Sequence, residues 1–147
     1  MEMDQLYTEL ILEHNADKTY KHKLAEATTS EHGHNPSCGD DLTLEIDVKD
    51  GVIKDAAYTG SGCAISQASA SMMLDIIIGK PIKEALRLVN LFLGMIKKEV
   101  TDDDKLEELE DAIALKNISN MPARVKCAVL AWHTLQEALV KEEQKEQ

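Results

Sequence analysis

The chain has 147 residues, 44% of them hydrophobic and 29% charged, and its 27 acidic against 16 basic side chains give a formal charge of -11. That size and mix describe one ordinary domain, residues 1–147, able to bury a core without disulfide staples. The acidic field repels phosphate backbones and anionic lipid, so neither nucleic acid nor a membrane is an expected partner. The three cysteines are an odd number, the opening MEMDQLYTEL lacks a basic then apolar leader pattern, and no apolar run reaches the length of a membrane span. A reduced, cytoplasmic protein is expected.

Leu6, Leu10, Ile11 and His14 recur at helical spacing, with Asp4 as a cap, which predicts an amphipathic helix over the first sixteen or so residues. From Lys18 to Asp41 the pattern dissolves, leaving room for one short strand around Ala25 to Ser30 and then a polar, turn-rich loop that delivers Cys38. Leu42, Leu44, Ile46 and Val48 then alternate with polar residues up to Asp50-Gly51, and VIKDAAYTG follows, which predicts a β-hairpin with one buried face. After GSGC, the stretch AISQASASMMLDIIIG reads as a helix rich in small residues and methionine, stopping at Gly79, with Cys63 at its entrance. Pro81 opens the helix PIKEALRLVNLFLGMIKKEV, and DDDKLEELEDAIAL resumes helix after an acidic cap. The last helix starts near Pro122 and carries Cys127 within its first two turns; the tail KEEQKEQ is polar.

Each thiol is delivered by different local physics. Cys38 rides a loop stiffened by Pro36 and freed by Gly39, so that its Sγ and an Asp40 oxygen can turn toward one point. Cys63 heads a helix, where free N–H groups and the dipole favour a thiolate, and Cys127 has Arg124 and Lys126 as cationic neighbours. Three thiols so biased can hold a soft or borderline metal, and with Asp40 they make a Cys₃Asp set suited to tetrahedral zinc. The alternative is that all three are small buried hydrophobes, a reading favoured by the lack of any CxxC pair. That absence also argues against a thioredoxin-like redox enzyme. His22, His32 and His34 crowd the loop before Cys38 and read as exposed polar residues, while His14 and His133 pack or face water on helices; none enters the ligand set. No phosphate loop, GxSxG elbow or HExxH occurs, and Asp102 to Asp104 with the glutamates of KLEELED read as a solvated helix start and face.

Taken together, NPSCGDDLTLEI, YTGSGCAISQASASMM and NMPARVKCAVLAW resemble, in order and over nearly the whole chain, the iron–sulfur cluster assembly family of IscU, SufU and the NifU amino-terminal domain. The resemblance implies an α+β fold, a small antiparallel sheet of about three strands packed against about five helices, with a metal or cluster site at one end. It places Cys38, Asp40, Cys63 and Cys127 on the family's ligand positions. Scaffold members carry a Leu-Pro-Pro-Val-Lys segment read by a dedicated chaperone and a histidine directly before the last cysteine. Here the segment is Met121-Pro122-Ala123-Arg124-Val125, Lys126 replaces the histidine, and the helical stretch between Cys63 and Cys127 is longer, like an insertion. These departures resemble the SufU subtype and imply no partnership with an IscU-type chaperone.

The function the resemblance implies is that of a zinc-binding sulfur acceptor, a sulfurtransferase partner rather than a stand-alone enzyme. Cys38 is the catalytic thiol that receives persulfide sulfur from a SufS-type cysteine desulfurase and passes it toward downstream Suf assembly proteins. Zn²⁺ is held by Cys38, Asp40, Cys63 and Cys127, with Arg124 supporting the site or the desulfurase contact by offsetting negative charge. The first alternative is an IscU-like scaffold that builds a transient [2Fe–2S] cluster on the same ligands. The second is a structural zinc module whose metal only shapes a protein-binding surface.

Overall fold

The computed structural model describes residues 3–37 and 39–145. Helix α1 (Met3–Ala16) leads into strands β1 (Thr29–Asn35), β2 (Asp40–Lys49) and β3 (Val52–Ser61). Helices α2 (Ala64–Ile77), α3 (Ile82–Ile96) and α4 (Asp103–Leu106) follow, then a 3₁₀ segment (Glu107–Asn120) and the long α5 (Pro122–Lys145). The sheet is antiparallel in the order β1-β2-β3, so the α+β architecture of three strands and five helices stands among the described residues.

The hairpin forms where alternation and turn chemistry agree. Leu42, Leu44, Ile46 and Val48 are buried on one face of β2, and Asp50 and Gly51 both take positive φ, 55° and 75°. Two such residues make the mirror-image turn whose twist matches the flanking strands. Helices α2 and α5 cover the buried face of the sheet, and α1, α3 and the 3₁₀ segment pack on those helices from the far side. Trp132 ties three helices together: its ring stacks on Phe92 of α3 at 4.0 Å, and its Nε1–H donates to Ser69 Oγ of α2 at 2.8 Å. The core is otherwise aliphatic and methionine, including Met72, Met73 and Met95.

Two expectations need correction. The first strand lies at Thr29–Asn35, not around Ala25 to Ser30, so His32 and His34 sit on β1 instead of in a loop. Its outer face is polar, and its inner face carries Gly33 and Asn35, so no apolar alternation marks it. Gly33 is there because α5 lies directly on the backbone: a Cβ would fall 2.1 Å from Thr134 Oγ1. The second correction concerns DDDKLEELEDAIAL, where the α-helix ends at Leu106 and gives way to 3₁₀ turns interrupted at Glu110, whose φ is 50°. Leu106, Leu109, Ala112, Leu115 and Ile118 are all buried. Their three-residue spacing matches the 3₁₀ period of about 3.0 residues per turn, and burying that row outweighs the better hydrogen bonds of an α-helix.

Candidate metal centre

Three elements end at one corner of the sheet. Strand β2 begins there with Asp40, α2 begins with Cys63, and α5 brings in Cys127 in its second turn. One ligand atom from each of Asp40, Cys63 and Cys127 lies within 4.8 Å of the others. Asp40 is 1% exposed and Cys127 fully buried; Cys63 is half-buried. No other such grouping of His, Cys, Asp or Glu occurs among the described residues.

Local folding explains each position. Cys63 is the N-cap of α2, with extended backbone and a sulfur that accepts the Ser66 N–H at 3.4 Å. Ser66 Oγ donates back to the Cys63 carbonyl at 3.1 Å, so the two residues are tied by a reciprocal pair of bonds across the first turn. Asp40 is held by its Oδ1, which accepts the Cys63 N–H at 2.9 Å, while Oδ2 stands 3.9 Å from Cys63 Sγ. Carboxylate and thiol are thereby locked to the same helix start, where the dipole favours negative charge. Gln67, one turn into α2, donates from Nε2 to the Gly62 carbonyl at 2.9 Å and accepts at Oε1 from Lys21 Nζ at 2.5 Å. Burial lowers the pKa of that ammonium.

Of the expected ligands, the structure brings Asp40, Cys63 and Cys127 together; Cys38 lies outside the described residues. Arg124 is exposed in the first turn of α5. His32 and His34 point to the opposite, exposed face of β1, and His32 Nε2 pairs with Asp41 Oδ1 at 2.7 Å instead of turning to the corner. Sequence reasoning missed Lys21 and Gln67, whose pairing spans the loop before β1 and has no local signature. Ser66 was missed as well, because a capping box carries Glu or Gln at that position and a serine there gives no signal.

The donor set fits zinc. Two sulfurs and a carboxylate oxygen are ligand types zinc takes at about 2.3 Å and 2.0–2.2 Å, and they are gathered where a helix start stabilises their anionic forms.

The profile described as the NifU-like N terminal domain matches residues 6–147. The chain is similar to the iron–sulfur cluster assembly scaffold protein IscU of Thermotoga maritima, 46% identical over 96% of this chain and 97% of that one. It is also similar to the zinc-dependent sulfurtransferase SufU of Bacillus subtilis, 38% identical over 96% of this chain and 94% of that one. Among solved structures, an iron–sulfur cluster assembly scaffold protein for the SUF system from Fervidobacterium islandicum AW-1 superposes with a TM-score of 0.84 at 37% identity, covering 92% of this chain and 97% of that one. With a family profile spanning all but the first five residues and relatives of this identity over nearly their full length, the chain belongs to the family of the NifU-like N-terminal domain.

Proposed function

We propose that this protein serves iron–sulfur cluster assembly as a zinc-binding sulfur acceptor that takes persulfide sulfur from a cysteine desulfurase of the SufS type. The observation that carries the reading is the convergence of Asp40, Cys63 and Cys127 at the start of α2. The zinc-dependent sulfurtransferase relative supports it by name, and so does Lys126 in the place of the scaffold histidine. Asp40, Cys63 and Cys127 would hold the ion with Cys38 as the fourth ligand. Bound zinc supplies charge that keeps its thiols deprotonated near neutral pH.

The transfer itself belongs to Cys38. Its thiolate attacks the outer sulfur of the desulfurase persulfide, a new S–S bond forms, the old one breaks, and the desulfurase thiolate leaves with the electron pair. The proton stays on the transferred sulfur, and no net oxidant is needed, as in thiol–disulfide exchange. Cys63 and Cys127 are poorly placed for this work. Cys63 caps α2 and Cys127 is buried inside α5, so moving either sulfur to a partner would disturb a packed element. Gly39, the residue after Cys38, has a φ of 73°, a backbone conformation glycine takes without the steric cost other residues meet.

A second reading, a scaffold that carries a [2Fe–2S] cluster as cargo on the same ligands, is favoured by the scaffold name of the Thermotoga maritima relative. Metal analysis of protein purified under reducing conditions, followed by a desulfurase stimulation assay, tests the first reading. About one zinc per chain and a faster desulfurase support it. Iron and sulfide that displace zinc under anaerobic reconstitution and stay bound, with no stimulation of the desulfurase, favour the scaffold.

A further inference from the structure

Beside the metal corner stands a hydrogen-bond donor that nothing described so far uses. Asn35 is 8% exposed, and its side-chain Nδ2 is enclosed and meets no acceptor among the described residues. The other polar atoms of its acceptor side are engaged. Its carbonyl oxygen accepts the Gly39 N–H at 2.9 Å, and its Oδ1 accepts the Ser37 N–H at 3.1 Å. Rotating the amide by half a turn would give up the Ser37 bond, so the orientation that leaves Nδ2 orphaned is also the one the turn requires.

The register shows where that donor stands. Asn35 lies directly across from Asp40 in the β1–β2 ladder, and residues so paired project from the same face of the sheet. Gly33, two residues earlier on that face, lies under Leu130 and Thr134 of α5, and Cys127 is about one turn from Leu130 toward the helix start. Asn35 therefore borders the pocket of Asp40, Cys63 and Cys127 from the β1 side, and it also accepts two hydrogen bonds from the turn that leads to Asp40. Burying an amide N–H without an acceptor is unfavourable, and native structures rarely retain one without a reason. A lone water is a poor partner, because a buried water needs several polar groups and, among the described residues, Asn35 Nδ2 is the one buried side-chain N or O atom at the corner that meets no partner. The pocket's own chemistry, two thiols beside a carboxylate, points to sulfur as what the donor meets.

We propose that Asn35 is a positioning residue whose Nδ2–H donates a hydrogen bond to an anionic sulfur seated in the Asp40, Cys63 and Cys127 pocket. The inference rests on the metal-site reading above, in which the thiols of this pocket are thiolate ligands to a metal. A donor aimed at a ligand sulfur withdraws charge from it and fixes its place, as partners of metal ligands commonly do.

The test loads the full chain with Co²⁺ under reducing, anaerobic conditions and compares wild type with Asn35→Asp and Asn35→Ser. Both variants keep an oxygen able to accept the Ser37 N–H; the first replaces the donor by an acceptor, and the second shortens the side chain without adding charge. The expected result is a shifted sulfur-to-cobalt charge-transfer band in both and an affinity against a competing chelator about tenfold or more below wild type, larger for Asn35→Asp. Urea unfolding of the metal-free variants separates this from a structural role. Lower metal-free stability with the wild-type band and affinity would overturn the proposal. A wild-type chain that binds no Co²⁺ would overturn the metal centre itself, and this inference with it.

Discussion

Gly62 is where backbone and ligand come closest. A Cβ there would stand 2.3 Å from Ser66 Oγ and 2.9 Å from Asp40 Oδ1, two atoms that build the Cys63 cap and the Asp40 anchor. Gly62→Ala must therefore displace the carboxylate, and zinc affinity measured by chelator competition is expected to fall by about tenfold or more, with circular dichroism unchanged. Affinity equal to wild type would show that Asp40 tolerates the shift. At this scale the sequence was informative about chemistry and silent about approach. Cys63 at a helix start and Asp40 beside a flexible glycine were legible from local rules, because a cap and a turn are made of neighbouring residues. The crowding at Gly62 and the orphaned nitrogen of Asn35 depend on strands and helices far apart in the chain, and no local pattern encodes them.

Among the elements, His14 of α1 joins the 3₁₀ segment to α2. It is 7% exposed; Nδ1 meets Ser71 Oγ of α2 at 2.8 Å, and Nε2 meets Asp111 Oδ2 of the 3₁₀ segment at 2.9 Å. His14→Ala removes both bonds and leaves the buried Ser71 hydroxyl without this partner, so urea unfolding is expected to show a loss of about 2 kcal/mol; a change below about 0.5 kcal/mol would mean the cluster contributes only solvated contacts. Tyr20 hydrogen-bonds Asp75 in the same region, and burial first, then that bond, pushes its pKa up to about 12 from the usual 10.0. The neutral phenol is the favoured folded form, so its contribution is complete below pH 10 and lost as pH rises through 12. Between those values wild type should lose stability more steeply than Tyr20→Phe, and parallel curves would contradict the assignment. The 3₁₀ segment shows how a readable signal went unread: every third residue from Leu106 to Ile118 is apolar, whereas the charge-rich composition suggests an ordinary helix. The strand β1 offered no such signal, since a glycine and an asparagine fill its inner face.

For the molecule as a whole, the core and the metal corner are separable. The hairpin, α2 and α5 are joined by apolar packing, with Leu44, Ile46, Met73 and Trp132 all at 0% exposure, whereas Asn35 holds the turn before Asp40 through hydrogen bonds from the Ser37 and Gly39 N–H groups. Removing zinc is expected to raise hydrogen exchange in that turn well above its effect on α5 or the β2–β3 hairpin; equal changes in all three would make the metal a global fold determinant. The overall fold was legible because alternation and helical periodicity cover most of the chain. The transferred sulfur is expected on Cys38, and on neither Cys63 nor Cys127. The most direct measurement incubates the protein with a SufS-type desulfurase and cysteine, caps free thiols and maps the persulfide by peptide mass spectrometry. The account predicts label on the peptide containing Cys38, abolished by Cys38→Ser with the fold retained; sulfur accumulating on Cys63 or Cys127 in the wild-type protein would contradict it.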